Sequence, residues 1–342
     1  MTPQIINIET VLEKPEDWSV IDVRSPKEYQ KAHLPGAINI PLLNDEDRHL
    51  VGTEYKQKGR ASAVHLGLQL VGPRMDELLH IFEQSCDFQK KILFYCWRGG
   101  LRSGISSSIF SWAGHKTHIL NGGYKSFRTW VLSSFEKKYK LRIMGGATGS
   151  GKTEILLNMK EKGVQVIDLE GLANHKGSAF GGLGQKPQPS TEAFENSLAL
   201  ELQIFDSQRV IWLENESHLI GTCYIPNPFW DQMTEALILK LNIDTNTRVE
   251  RLLKEYGYFE KPLLIEKTNI LKRKLGGQHA QFAIESLEQD RRKDWLESVL
   301  VYYDKTYGYG IEKNHHRSTE LPFDWNNPEQ GISNIINHEL NK

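Results

Sequence analysis

Cysteine is scarce: only 3 of 342 residues, Cys86, Cys96 and Cys223. Three thiols make no disulfide framework, which excludes the small stapled folds of secreted proteins. The expected setting is a reducing cytoplasm, where thiols stay reactive. Long apolar runs are missing too; none reaches the ~20 residues that span a bilayer, so no membrane partner is expected. Met1-Thr2-Pro3-Gln4 offers neither a positive n-region nor an apolar h-region, so export is not expected. Charge of one sign is also lacking. With 42 Lys+Arg against 43 Asp+Glu the net charge is −1, and a nucleic-acid partner would need a local basic patch. No Pro/Gly/Ser-rich linker interrupts the chain. What remains is ordinary globular material, 39% hydrophobic and 25% charged, long enough for two cores.

The stretch around which the chain is organised lies near its middle. Gly146-Ala147-Thr148-Gly149-Ser150-Gly151-Lys152-Thr153 has the G-x-x-x-x-G-K-T pattern of a phosphate-binding loop. Leu141, Ile143 and Met144 precede it as a strand would, and Ile155, Leu156 and Met159 follow at helical spacing. Gly146, Gly149 and Gly151 let the backbone turn so that N–H groups converge on phosphate oxygens. Lys152 adds a cation and Thr153 a hydroxyl. The pattern indicates a bound phosphate or diphosphate and does not require hydrolysis.

Before the loop, strands and helices alternate. Ser19–Arg24 reads as a buried strand, and Ser25-Pro26 starts a helix with a capping serine. A turn and short strand follow at 33–41, and a helix at 73–84. Lys91–Tyr95 reads as a second strand, which runs into Cys96-Trp97-Arg98-Gly99-Gly100-Leu101-Arg102-Ser103 and then a helix. Lys116–Leu120 is a third strand. This order gives a parallel α/β sheet, with its active groups at the carboxyl ends of the strands. Cys96 stands at such an end. Loop N–H groups, the helix N-terminus and the guanidiniums of Arg98 and Arg102 should favour its thiolate. Two arginines and two glycines within six residues argue against an apolar burial site. Asp22 and Arg24 admit a catalytic or an anchoring role, and anchoring is favoured. Residues 125–140 read as a joining helix.

After the loop, Val164–Glu170 reads as a strand ending in Asp168 and Glu170, followed by a glycine-rich polar segment, 171–184. Arg209–Ser217 reads as another strand, placing Glu214 and Glu216 where P-loop proteins commonly carry an aspartate for metal-bound water. With glutamate there, no metal site is assigned. Arg248 to Lys274 carries eight Lys/Arg against four Glu, with Tyr256, Tyr258 and Phe259 interleaved. That composition suits either RNA contact or a solvated helical face.

Asp22–Tyr29 with Ala32–Pro41, the loop Cys96–Ser103, and Asn121-Gly122-Gly123-Tyr124 together resemble the signatures of rhodanese domains. By that resemblance Cys96 carries sulfur or selenium, within an anion-holding loop of Trp97, Arg98, Gly99, Gly100 and Arg102. Cys86 and Cys223 match no motif and read as structural. A rhodanese domain ahead of a P-loop domain is similar to the tRNA 2-selenouridine synthase family. Asp168–His175 and Gly177–Gly181 resemble its second-domain signature, which adds His175 and Ser178 to Asp168, Glu170, Glu214 and Glu216 as candidates. Lys176 stands where an arginine is expected. Tyr302-Tyr303-Asp304 and Tyr307 resemble its C-terminal signature.

The resemblance implies an α/β chain. An N-terminal rhodanese-like parallel-sheet domain (1–128) and a linker helix (129–140) precede a P-loop NTPase-like α/β domain with a helical C-terminal extension (141–342). It implies a cytoplasmic transferase acting on the wobble 2-thiouridine of a tRNA anticodon stem-loop. The sulfur is geranylated from geranyl diphosphate and then exchanged for selenium from selenophosphate through a Cys96 perselenide. No tightly bound cofactor is expected; Mg2+ is left open, and a selenophosphate supplier is a candidate partner. The alternatives are a rhodanese-type sulfurtransferase with an ATP-binding P-loop domain, or a regulatory module.

Overall fold

The computed structural model describes residues 2–340; the side chains of 306–315 and 338–340, with Tyr307 and His315 among them, lie outside the described residues. The chain divides into two compact units, 1–134 with 195–200, and 135–194 with 201–342.

In the first unit the strands are β1 (Gln4–Ile6), β2 (Trp18–Asp22), β3 (Ile38–Asn39), β4 (Lys91–Tyr95) and β5 (Thr117–Leu120). They form one parallel sheet in the order β1-β5-β4-β2-β3. The β4 stretch Ile92–Tyr95 is buried, as expected of an apolar run at the centre of a parallel sheet. Phe82, Phe94 and Phe110 stack over one face. The helix Pro26–Lys31 starts at Ser25 with a capping box closed by Glu28. A helix with no apolar stripe to announce it, Asp45–Val71, starts at Asn44, whose side chain accepts from the Asp47 N–H, and kinks at Gly59. The joining helix spans Gly123–Ser134 and does not run on to Lys140. Its predicted last turn is irregular backbone that leads into the next strand.

In the second unit β6 (Lys140–Gly146), β7 (Gln165–Ile167), β8 (Val210–Glu214), β11 (Leu237–Asn242) and β12 (Ser318–Pro322) form a parallel sheet. Its order is β12-β11-β6-β8-β7, and a small antiparallel pair, β9 (Leu219–Ile220) and β10 (Cys223–Tyr224), lies outside it. Two predicted strands are shorter than expected. After β7, Asp168 caps a helix, Leu169–Ala173, by accepting from the Gly171 N–H at 2.7 Å. β8 stops at Glu214, leaving Asn215–Ser217 as loop. Helices from Thr245 to Asn314 build a second core around Trp295, which is fully buried and donates through Nε1 to Thr268 Oγ1. The C-terminal part is not helical throughout: the chain returns as β12 to pair with β11 before the last helix, Pro328–Leu340.

Candidate functional site

The first site sits where β4 ends. The peptide after Tyr95 turns at once into the loop 96–100, and the helix Leu101–Trp112 begins on Gly100. The loop rests on the segment after β5. The Tyr124 N–H donates to the Cys96 carbonyl at 2.8 Å and the Lys125 N–H to that of Trp97 at 3.0 Å. Gly123, at φ +60°, approaches so closely that a Cβ there would lie 2.3 Å from the Cys96 carbonyl oxygen and 2.4 Å from the Gly99 nitrogen. The two glycine-rich stretches are thus faces of one contact.

Cys96 is buried, contrary to the expectation drawn from its polar neighbours, and packs within the domain core. Burial raises a thiol pKa, but here the donors outweigh it. Ser103 Oγ lies 3.3 Å from Sγ and the Gly100 N–H donates to Sγ at 3.3 Å. The Ser103 hydroxyl and N–H, the Arg98 N–H and the Arg102 charge bring the thiol below its ordinary value. Arg98 thus acts on the sulfur through its backbone N–H, and its side chain is exposed. Arg102 is bound bidentately by Glu28, at 2.5 and 3.2 Å, so its charge reaches the sulfur partly compensated. Trp97, within the loop, is partly exposed, its ring 5.7 Å from that of Tyr124. Burial pushes the Cys86 thiol up to about 11 and raises that of Cys223, as suits structural cysteines.

Asp22 and Arg24 are anchors. Both are fully buried, joined by three side-chain hydrogen bonds of 2.6–3.0 Å, and Arg24 also donates to the Ala32 carbonyl at 2.8 Å. The Arg24 guanidinium lies 3.9 Å from the centre of the Tyr124 ring. The pair therefore fixes the turn before β3 to the segment that carries the active loop.

The second site is a cleft of about 1050 Å³ at the carboxyl end of the second sheet. Gly146, Gly149, Gly151, Lys152 and Thr153 line it, and so do Asp168, Glu170, Ser178 and Glu216. Gly149 and Gly151 have φ near +83° and +82°, conformations that favour glycine. Lys152 Nζ donates to the Gly146 carbonyl at 3.0 Å, and Thr153 Oγ1 to Glu170 at 3.0 Å. Glu170 and Glu216 share a hydrogen bond. Burial, and then the neighbouring Glu170 charge, push Glu216 up to about 8. Burial likewise raises Glu170, against the pull of Lys152. The pair therefore holds a proton across the neutral range.

Two candidates do not line the cleft. Glu214 is fully buried under it and accepts from the Leu169 N–H at 3.1 Å; burial, and then the Asp168 and Glu170 charges, raise its pKa well above the usual carboxylate range. His175 packs against Gly181 and Gly182, and burial lowers its pKa. Among the described residues no group of three His, Cys, Asp or Glu side chains is arranged to hold a metal.

Sequence reasoning missed what covers the cleft. The helix Thr245–Tyr256 turns the first arginines of the basic stretch onto the phosphate loop: Arg248 Nε donates to the Thr148 carbonyl at 2.9 Å, and Arg251 lines the cleft. Trp325, just after β12, donates through Nε1 to the Ser150 carbonyl at 3.2 Å. Leu157, Leu252 and Tyr256 supply an apolar wall. Lys272, Arg273 and Lys274 remain exposed, as does Tyr258.

Comparison with known proteins places these two sites in one lineage. A rhodanese-like domain family matches residues 8–129, and the tRNA 2-selenouridine synthase AAA domain family matches 139–268. A tRNA 2-selenouridine synthase of Sulfurovum sp. (strain NBC37-1) is 35% identical, covering 87% of this chain and 90% of that one. Enzymes of the same name from Shewanella halifaxensis (35%; 88% and 91%) and Shewanella frigidimarina (36%; 88% and 91%) match similarly. With both domains matched in this order and nearly full-length relatives above one-third identity, the chain belongs to the tRNA 2-selenouridine synthase family.

Proposed function

We propose that the protein converts the wobble 2-thiouridine of tRNA to 2-selenouridine in two steps. In the first, the thiocarbonyl sulfur attacks C1 of geranyl diphosphate, and pyrophosphate leaves into the phosphate loop. In the second, the selenium of selenophosphate, held at the Cys96 loop, attacks C2 of the alkylated base; geranylthiolate leaves, and water cleaves the selenium–phosphorus bond to release phosphate. An alkylated sulfur leaves far more readily than a thiocarbonyl, which gives the first step its purpose. The observation that carries the reading is the composition of the second cleft. Carbon from Leu157, Leu252 and Tyr256 faces the same space as Lys152 and the loop, as a prenyl diphosphate requires and a bare phosphate does not. Selenophosphate suits a donor-ringed thiol such as Cys96, and exposed Lys272, Arg273 and Lys274 suit an RNA backbone.

The test follows wobble nucleosides by mass spectrometry after incubating thiolated anticodon stem-loop with both donors. Cys96→Ala should halt selenation and accumulate S-geranyl-2-thiouridine. Lys152→Ala should stop geranylation. Loss of both steps in Cys96→Ala would refute the division of labour. ATP turnover without prenyl transfer would favour a sulfurtransferase with an ATP-binding domain.

A further inference from the structure

Arg248 and Arg251 stand three residues apart on one helix and so share a face. They are engaged differently. Arg248 is fully committed: it is buried, donates to the Thr148 carbonyl, and is held by Asp304 through two nitrogens at 3.2 and 2.5 Å. It braces the loop. Arg251 is only half committed. Its guanidinium lies over the Trp325 ring, 3.6 Å from the centroid, and one terminal nitrogen pairs with the Glu154 carboxylate. Its Nε–H is buried with no hydrogen-bond partner among the described residues. An unmade bond at a buried N–H is unfavourable unless a ligand completes it, even though the rest of the side chain is partly exposed.

The position of this cation is specific. A Cβ on Gly151 would fall 2.6 Å from Arg251 Nη2, so the guanidinium lies against the loop residue that precedes Lys152. Its partner Glu154 is more than half exposed, and such ion pairs are weak. A phosphate group presents two oxygens to the planar fork of arginine and carries more charge than a carboxylate. Trp325, tied to the Ser150 carbonyl, holds the guanidinium plane while its anionic partner changes.

Resting on the reading of this cleft as a diphosphate site, we propose that Arg251 clamps the terminal phosphate of the bound diphosphate, and that Glu154 occupies the clamp until the diphosphate arrives. The electron pair of the breaking carbon–oxygen bond stays on the inner phosphate and its charge spreads over the departing pyrophosphate, so a cation on the terminal phosphate supports departure as well as binding.

Binding of inorganic pyrophosphate to the full chain, read by titration calorimetry, tests this. Arg251→Ala should weaken binding about 10- to 100-fold, the range of a lost charge-assisted hydrogen bond. Glu154→Gln should tighten it by about 2- to 5-fold by freeing the clamp. That gain should vanish in the double variant. Equal affinity in Arg251→Ala and wild type, or no tightening in Glu154→Gln, overturns the clamp while leaving the diphosphate reading intact. Wild-type protein that ignores pyrophosphate overturns that reading and the clamp with it. If melting curves show Arg251→Ala unfolded, Glu154→Gln decides, because it leaves the Arg251–Trp325 stack in place.

Discussion

Replacing Gly123 by alanine should damage the Cys96 site from beneath without changing any residue of the loop itself. Two effects add. At φ +60° an L residue is disfavoured by about 1–2 kcal/mol. The new methyl would also sit 2.3 Å from the Cys96 carbonyl oxygen and 2.4 Å from the Gly99 nitrogen. Neither contact is the tip of a flexible side chain, so backbone must move, and overpacking of this kind costs about 1–3 kcal/mol. The sum is a loss of about 2–5 kcal/mol, a large share of a typical 5–15 kcal/mol domain stability. Gly36→Ala supplies the control: φ is +83° but nothing lies within 4 Å, so only the conformational part should be lost. Urea unfolding measures both variants. Iodoacetamide alkylation of Cys96 reports the loop directly, because movement of the 96–100 backbone withdraws the Gly100 N–H from the sulfur. If Gly123→Ala loses no more stability than Gly36→Ala and alkylates at the wild-type rate, the loop is not seated on Gly123 and the account of the site is wrong.

Three further outcomes follow from the same geometry. Asp22→Ala leaves Arg24 charged and buried without its carboxylate, and should cost about 3–5 kcal/mol in urea unfolding. Ser103→Ala removes a group that stabilises the Cys96 thiolate, so the alkylation-rate profile should move to higher pH; an unmoved profile would mean that the hydroxyl serves only the Gly100 carbonyl. For Glu216 the folded pKa, about 8, lies above its ordinary 4.5, so the folded state binds more protons between those values and stability falls as pH rises through that window. Glu216→Gln should flatten that fall, seen as melting temperatures that converge with wild type at low pH and exceed it above pH 8.

Which elements could be read from sequence follows from their burial. β2, β4, β6 and β8 are enclosed strands and appear as apolar runs, so they are legible. Asp45–Val71 was not: only Ala63 and Val71 are buried in 27 residues, and no apolar stripe marks a helix whose faces are mostly wet. β12 escaped for a related reason, being an edge strand, Ser318-Thr319-Glu320-Leu321-Pro322, with little apolar content. The Cys96 loop was legible because its contacts are local, within 96–103 and the adjoining glycines. Its second ring was not. Glu28 could be read as a cap on its own helix, yet nothing local says that it also holds Arg102, 74 residues away. The phosphate loop is likewise contiguous, while its braces come from 100 and 175 residues downstream. Distance along the chain, not weakness of the contact, hid Arg248, Arg251 and Trp325.

The placement of Cys96 shows where residue-type reasoning misleads. Arginines and glycines around a cysteine suggest an open, polar pocket, yet the residue is only 4% exposed. A thiolate needs a few donors aimed at one atom, and the backbone of a tight loop supplies them without opening the core to water. Cys86, half-buried and with the Ser19 hydroxyl in place of such a set of donors, shifts the opposite way, to about 11. The carboxylates divide along similar lines. Glu214 and Glu216 lie two residues apart at one strand end, and burial and the Glu170 charge raise both, but only Glu216 opens into the cleft, hydrogen-bonds Glu170 and feels Lys152. Burial alone therefore separates neither the reactive thiol nor the cleft carboxylate from its structural counterpart. The direction in which the surrounding donors and charges point does, and that is a property of the fold.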